Sequence, residues 1–269
     1  MTHDPRPAIW KLFIAGGLLM LLLGCATYYH QADLPLNLLA KRQIPSAEYW
    51  LGTDNLGRDL LIRCLQGVYT SWQIGLIASL TSGAIALCTG VLSALGGKRI
   101  DMTLRWLIDS MLSIPHLILL LLLCFTLGGG KQGVIMAVAL THWPKLALLI
   151  RAEVLRIKES DFIRLAAKLG NSRWHILRVH YLPLLLPQIL VGILLMFPHA
   201  ILHAAALSFL GFGLAQHEAS LGLLLADALR YLNTGAWWLA LFPGLFLVAL
   251  VMLIEQCGQA VQQLWQEIL

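Results

Sequence analysis

Residues 151–183, RAEVLRIKESDFIRLAAKLGNSRWHILRVHYLP, decide how this chain is read. The segment holds Arg151, Arg156, Lys158, Arg164, Lys168, Arg173 and Arg178, and it is caught between two apolar runs, 133–150 and 184–210. A run of about 20 apolar residues crosses the roughly 30 Å of hydrocarbon in a bilayer. Lys and Arg beside such runs stay on the cytoplasmic side. The segment therefore reads as a cytoplasmic loop joining two transmembrane helices.

Working outward, further runs at 8–27, 71–95, 104–127 and 237–257 bring the expected number of spans to six. With the N-terminus inside, Arg6, Lys11, Lys98, Arg99 and Arg105 join the loop's basic residues on the inner side. Lys41, Arg42, Arg58, Arg63, Lys131 and Arg230 fall outside, leaving Lys145 within a span. That imbalance predicts that both termini are cytoplasmic. The first run also reads as a bacterial lipoprotein signal, with Leu22-Leu23-Gly24-Cys25-Ala26 at the cleavage point. Both readings leave the rest of the topology unchanged.

Composition agrees. The chain has 269 residues, 58% hydrophobic and 12% charged, with mean hydropathy +0.75. Soluble domains are about a quarter charged, so an all-α polytopic membrane protein is the expected class. The net charge of +5 follows the membrane sides, pointing to lipid rather than nucleic acid as its partner. Cys25, Cys64, Cys88, Cys124 and Cys257 show no CxxC spacing, and Cys64 alone falls in a polar connector, so no disulfide framework is expected. The chain divides into a first helix with its connector, 1–70, and a five-helix core, 71–269.

Within the loop, Phe162, Leu165, Ala166 and Leu169 recur at helical spacing. Asp161 can cap that helix, and Gly170 with Asn171 and Ser172 supplies a break. A second short helix over 174–180 follows before Pro183. The small pair Ala166-Ala167 would let the elbow approach a partner's groove closely, although an ordinary basic loop has the same periodicity.

Ala166-Ala-Lys-Leu-Gly170, continuing to His180-Tyr-Leu182-Pro183, resembles the EAA loop of bacterial ATP-binding-cassette (ABC) importer permeases. Two departures are Arg164 in place of the family's acid and Leu165 in place of its first alanine. Leu51-Gly-Thr-Asp-Asn-Leu-Gly-Arg-Asp59 resembles the LGTDxxGRD motif of the second permease in dipeptide, oligopeptide and nickel importers. Ala206-Leu-Ser-Phe-Leu-Gly-Phe-Gly-Leu214 is a third match. The resemblance implies a type I ABC importer permease fold in the bacterial inner membrane. It implies coupling to the ATPases through Ala166, Ala167, Gly170, Leu182 and Pro183. The implied partners are a homologous permease, two ATP-binding subunits and an extracytoplasmic substrate-binding protein.

His199 and His203 are four apart in the fifth span and share a helix face. His116 and His142 stand near other span ends. Histidines in a span either hydrogen-bond inside the bundle or meet a cargo. His203 stands where peptide permeases usually hold glutamate, and there and at His142-Trp143 the chain resembles the nickel branch. The expected translocation-path residues are thus His142, His199 and His203, with no metal site firmly assigned. The expected cargo is nickel or a nickel chelate, with dipeptides or oligopeptides as the alternative. H-E-x-x-H fails because position 200 is alanine, and Gly128-Gly-Gly-Lys131 is no phosphate loop, so neither catalysis nor a cofactor is expected.

Overall fold

The computed structural model describes residues 6–214 and 218–268. Its helices are α1 (Arg6–Tyr29), α2 (Leu60–Leu95), α3 (Lys98–Ser113), α4 (His116–Thr126) and α5 (Gly130–Lys158). They continue with α6 (Asp161–Lys168), α7 (Arg173–Ile176), α8 (Leu182–Phe209), α9 (Leu221–Leu229) and α10 (Trp238–Ile268). Among the described residues the only strand-like pairing is an isolated bridge from Thr53 to Asp59. The chain is all-α, as expected.

Among the described residues, five helices are long and apolar enough to cross a membrane: α1, α2, α5, the continuous rod Arg173–Phe209, and α10. The expected third span is not one straight helix. It is the pair α3 and α4, bent by 100°. The bend has a local cause. Pro115 lacks an N–H and clashes with a helical residue before it, and Ile114 is accordingly extended (φ −84°, ψ 135°). Lys98, Asp101, Arg105 and Asp109 recur once per turn of α3, giving it a polar stripe that suits an interface.

Two further boundaries move. α2 starts at Leu60, not at 71, because Asp59 caps it by accepting from the Leu61 N–H at 2.8 Å. Cys64, expected in a polar connector, is therefore a fully buried helical residue, and the division drawn after residue 70 falls inside α2. Pro183 does not restart the chain either. A π-helical turn over Leu177–Tyr181 carries α7 into α8 without a break, absorbing the bonds the proline cannot make.

α2 is the central helix. It runs parallel to α5, with the Gln73 amide oxygen accepting from Lys131 Nζ (2.8 Å) near one end and Gly90 packed on Ala147 and Ile150 near the other. It runs antiparallel to α8: Gly75 meets Ile201 and Phe197, and Gly83 meets Ile193. Small residues let helices close up where lipid offers no hydrophobic drive for association. The end of the bundle that leads into α6 is tied by charge. Arg151 grips Asp101 with both arms (2.6 and 2.7 Å), and Ser93 Oγ donates to the same carboxylate (2.6 Å), joining α2, α3 and α5.

At the opposite end, residues 37–59 fold over the start of α2. Gly52 and Gly57 both take φ +77°, as the turns require. Asp54 accepts from the Leu56 and Arg58 N–H groups and from Arg58 Nε (2.6 Å). Thr53 donates to the Ala40 carbonyl and accepts from the Gln43 N–H. Trp238 Nε1 reaches the Thr53 carbonyl at 3.4 Å, pinning this segment to α10. α1 is mostly exposed and packs on α2 and α10, with Ala26 fully buried among Val68, Leu250 and Ile254 and Cys25 exposed on its surface.

Candidate functional site

The elbow after α5 is built as its periodicity demands, with one reassignment. Ser160, not Asp161, holds the N-cap position of α6, and Asp161 is its first residue. Ile163 and Ala166 turn inward and join the core around Val154, Ile157 and Ile176. Phe162, Leu165 and Leu169 stay exposed, Leu169 at 74%, alongside exposed Ala167. The expected single face is thus two: a seam that holds α6 onto the bundle, and an uncovered apolar stripe. Gly170 ends α6 in the left-handed region (φ +81°), where the Asn171 N–H returns to the Ala166 carbonyl at 3.3 Å. Ser172 then caps α7 by accepting from the His175 N–H at 3.2 Å. Leu182 and Pro183 lie at the foot of α8, Pro183 exposed.

Inside the bundle, α4, α5 and α8 bring three histidines together. The rings of His116, His142 and His203 stand 4.6–5.0 Å apart, centroid to centroid, each edge-on to the others. One ring nitrogen from each lies within 4.8 Å of the other two. All three are half-buried. His142 Nδ1 donates to the Val138 carbonyl at 2.9 Å, so its Nε2 carries the lone pair, 3.2 Å from His203 Nδ1. His203 Nδ1 is 2.8 Å from the His199 carbonyl.

Of the three expected path residues, His142 and His203 therefore meet and His199 does not. His199 is exposed, its Nδ1 turned back to the Leu195 carbonyl (3.2 Å). His116 takes the third place. Its signal was Pro115, which marks a helix restart inside an apolar run and so brings the next residue to a new helix's first turn.

A cavity of about 150 Å³ opens beside the 37–59 segment, lined in part by Asp54, Arg58, Asp227 and Arg230. Burial pushes the Asp227 carboxyl above the usual carboxylate range, against the pull of Arg230. Arg63 is buried next to this cavity, with Nε 3.9 Å from Asp54 Oδ2. Asp54 pairs with Arg58, while Asp59 spends its carboxylate on the α2 cap.

The family described as binding-protein-dependent transport system inner membrane component matches residues 86–264. This chain belongs to that family. The permease is 36% identical over 209 residues to the probable D,D-dipeptide transport system permease protein DdpC of Escherichia coli (strain K12), covering 78% of this chain and 70% of that protein. It is 32% identical over 218 residues to the dipeptide transport system permease protein DppC of Bacillus subtilis (strain 168), covering 81% and 68%. A putative peptide permease protein of Brucella suis biovar 1 is 33% identical over 260 residues, 96% and 85% of the two chains. In fold, the permease matches a chain of the inward-facing MetNI methionine ABC transporter with TM-score 0.62 at 20% identity, covering 76% of this chain and 97% of that one.

The permease is thus an ABC importer's multi-pass inner-membrane subunit with the expected fold, and a transport subunit rather than an enzyme. As such it works with ATP-binding subunits and a substrate-binding protein. The expected closeness to the nickel branch is not supported: these relatives bear dipeptide and peptide names, which favours the alternative cargo.

Proposed function

We propose that this permease moves small peptides or peptide-like molecules into the cell. It pairs with a homologous permease, two ATP-binding subunits drive the pair, and an extracytoplasmic binding protein feeds it. Both termini face the cytoplasm, with the 37–59 segment on the outer side. The observation that carries the coupling half of this reading is the uncovered stripe of Phe162, Leu165 and Leu169 on a basic elbow. An apolar helix face in water is a docking face, and a groove on an ATP-binding subunit covers it. Ala167 and Gly170 let that groove approach. Ala166 acts from beneath, by fixing α6 to the core, and Leu182 and Pro183 set the foot of α8. The peptide relatives supply the cargo half.

The test separates docking from folding. Leu165→Asp, Ala167→Arg or Gly170→Asp should leave the permease inserted and assembled with its partner permease, while cargo-stimulated ATP hydrolysis and uptake fall at least about tenfold. Each places a charge or bulk in a desolvated contact, worth a few kcal/mol. Survival of both activities in all three variants would sink the docking assignment.

A metal chelate, nickel included, is the second cargo reading, and the meeting of His116, His142 and His203 favours it. Parallel uptake of labelled dipeptide and of Ni(II) by cells expressing the intact system decides between the two.

A further inference from the structure

We propose that His116, His142 and His203 form a three-nitrogen binding site for a divalent transition-metal ion, with at least one coordination position left to a ligand that arrives with the ion. The inference rests on the permease reading but not on the choice of cargo.

Geometry comes first. Imidazole nitrogens bind such ions at about 2.0–2.1 Å, so two of them around a tetrahedral ion stand roughly 3.3 Å apart. One nitrogen from each ring lies within 4.8 Å of the other two, and His142 Nε2 stands 3.2 Å from the nearer nitrogen of the His203 ring. Small ring rotations close the remainder. The backbone already orients His142 as a ligand: its Nδ1 proton is held by the Val138 carbonyl, the outer hydrogen bond that metal-binding histidines characteristically make. His203 Nδ1 likewise donates to a backbone carbonyl, that of His199 at 2.8 Å, so its Nε2 carries the lone pair and is the nitrogen it offers an ion.

The donor set chooses the ion. Three imidazoles suit Co, Ni, Cu and Zn and offer nothing to Ca or Mg, which need oxygen. The set also leaves the ion's charge uncompensated, since no carboxylate belongs to the cluster. A site so placed binds moderately and prefers an ion that brings carboxylate or other anionic ligands, which suits a pathway that has to release what it holds. Three helices supply one ligand each, so the ion bridges α4, α5 and α8.

The experiment uses the full complex with its partner subunits, purified through a histidine-free tag into lipid nanodiscs and titrated with Co(II) chloride. Expected is a saturable visible absorption band at about one ion per chain. His142→Gln, His203→Gln and His116→Gln, checked for assembly by size exclusion, each weaken it at least about tenfold. His199→Gln leaves it unchanged. No band in the assembled complex, or a band equally strong in His142→Gln and His203→Gln, overturns the site and makes the three rings hydrogen-bonded packing. Histidine-dependent binding in a complex that takes up dipeptide but neither Co(II) nor Ni(II) upholds the site while ending the metal-cargo reading. Intact dipeptide uptake with no Co(II) band ends the site and leaves the proposed function standing.

Discussion

A Cβ added to Gly57 would sit 1.7 Å from the Asn37 carbonyl oxygen, on backbone held at φ +77°. Neither problem is relieved by moving a flexible side chain. Gly170 has a similar φ but open space around its Cβ position. Gly57→Ala should therefore lower the thermal stability of the purified complex by about 2–5 kcal/mol, combining left-handed strain with overpacking, whereas Gly170→Ala should cost about 1–2 kcal/mol. Equal effects at the two sites would show that the Asn37 contact is not formed. The motif at residues 51–59 was legible as a resemblance, and its two glycines suit the tight turns found there. The roles of the charges were less so. Asp54, Arg58 and Asp59 stand together in one motif, yet only the start of α2 at Leu60 turns Asp59 into a cap. A helix that begins eleven residues before its apolar run leaves no mark in hydropathy.

Among the elements, α3 is held by the buried Ile108 and by one charged junction. Arg151 meets Asp101 through two hydrogen bonds, with both side chains only 21% and 24% exposed. Asp101→Ala and Arg151→Ala should each cost about 1–3 kcal/mol in thermal unfolding, and the double variant should cost about as much as either alone. Additive losses would mean that the two residues act separately. Neither partner was visible as such, because they stand fifty positions apart and their pairing depends on α3 folding back beside α5. The break that folds it back was misread for a related reason. Averaged hydropathy sees 104–127 as one apolar stretch, while a 100° bend needs only Pro115 and an extended Ile114. The same bend delivers His116 to His142 and His203. Spacing along one helix had suggested His199 instead, and spacing says nothing about which turn of α8 a second and third helix will reach.

For the whole molecule, the close helix crossings leave little tolerance. At Gly222 a Cβ would come within 2.2 Å of the Ala205 carbonyl oxygen, where α9 presses on α8. Backbone cannot yield there as a side chain could. Gly222→Ala should thus reduce the yield of assembled complex severely, as read by size exclusion after detergent extraction, while Gly244→Ala, whose nearest atom is Leu225 Cδ2 at 3.8 Å, should pass unnoticed. A normal yield from Gly222→Ala would show that α9 does not sit against α8 this closely. One more crossing bears on how the protein is made. α1 packs against α10, so the first long helix and the last are neighbours. Some 200 residues separate them, which at 5–20 residues per second is roughly 10–40 s of translation. Throughout that interval α1 resides in lipid with its final partner still unsynthesised. Its outward Trp10, Phe13, Ile14, Leu18, Met20 and Leu21 make that wait harmless, and a helix made much later gives it a place to rest.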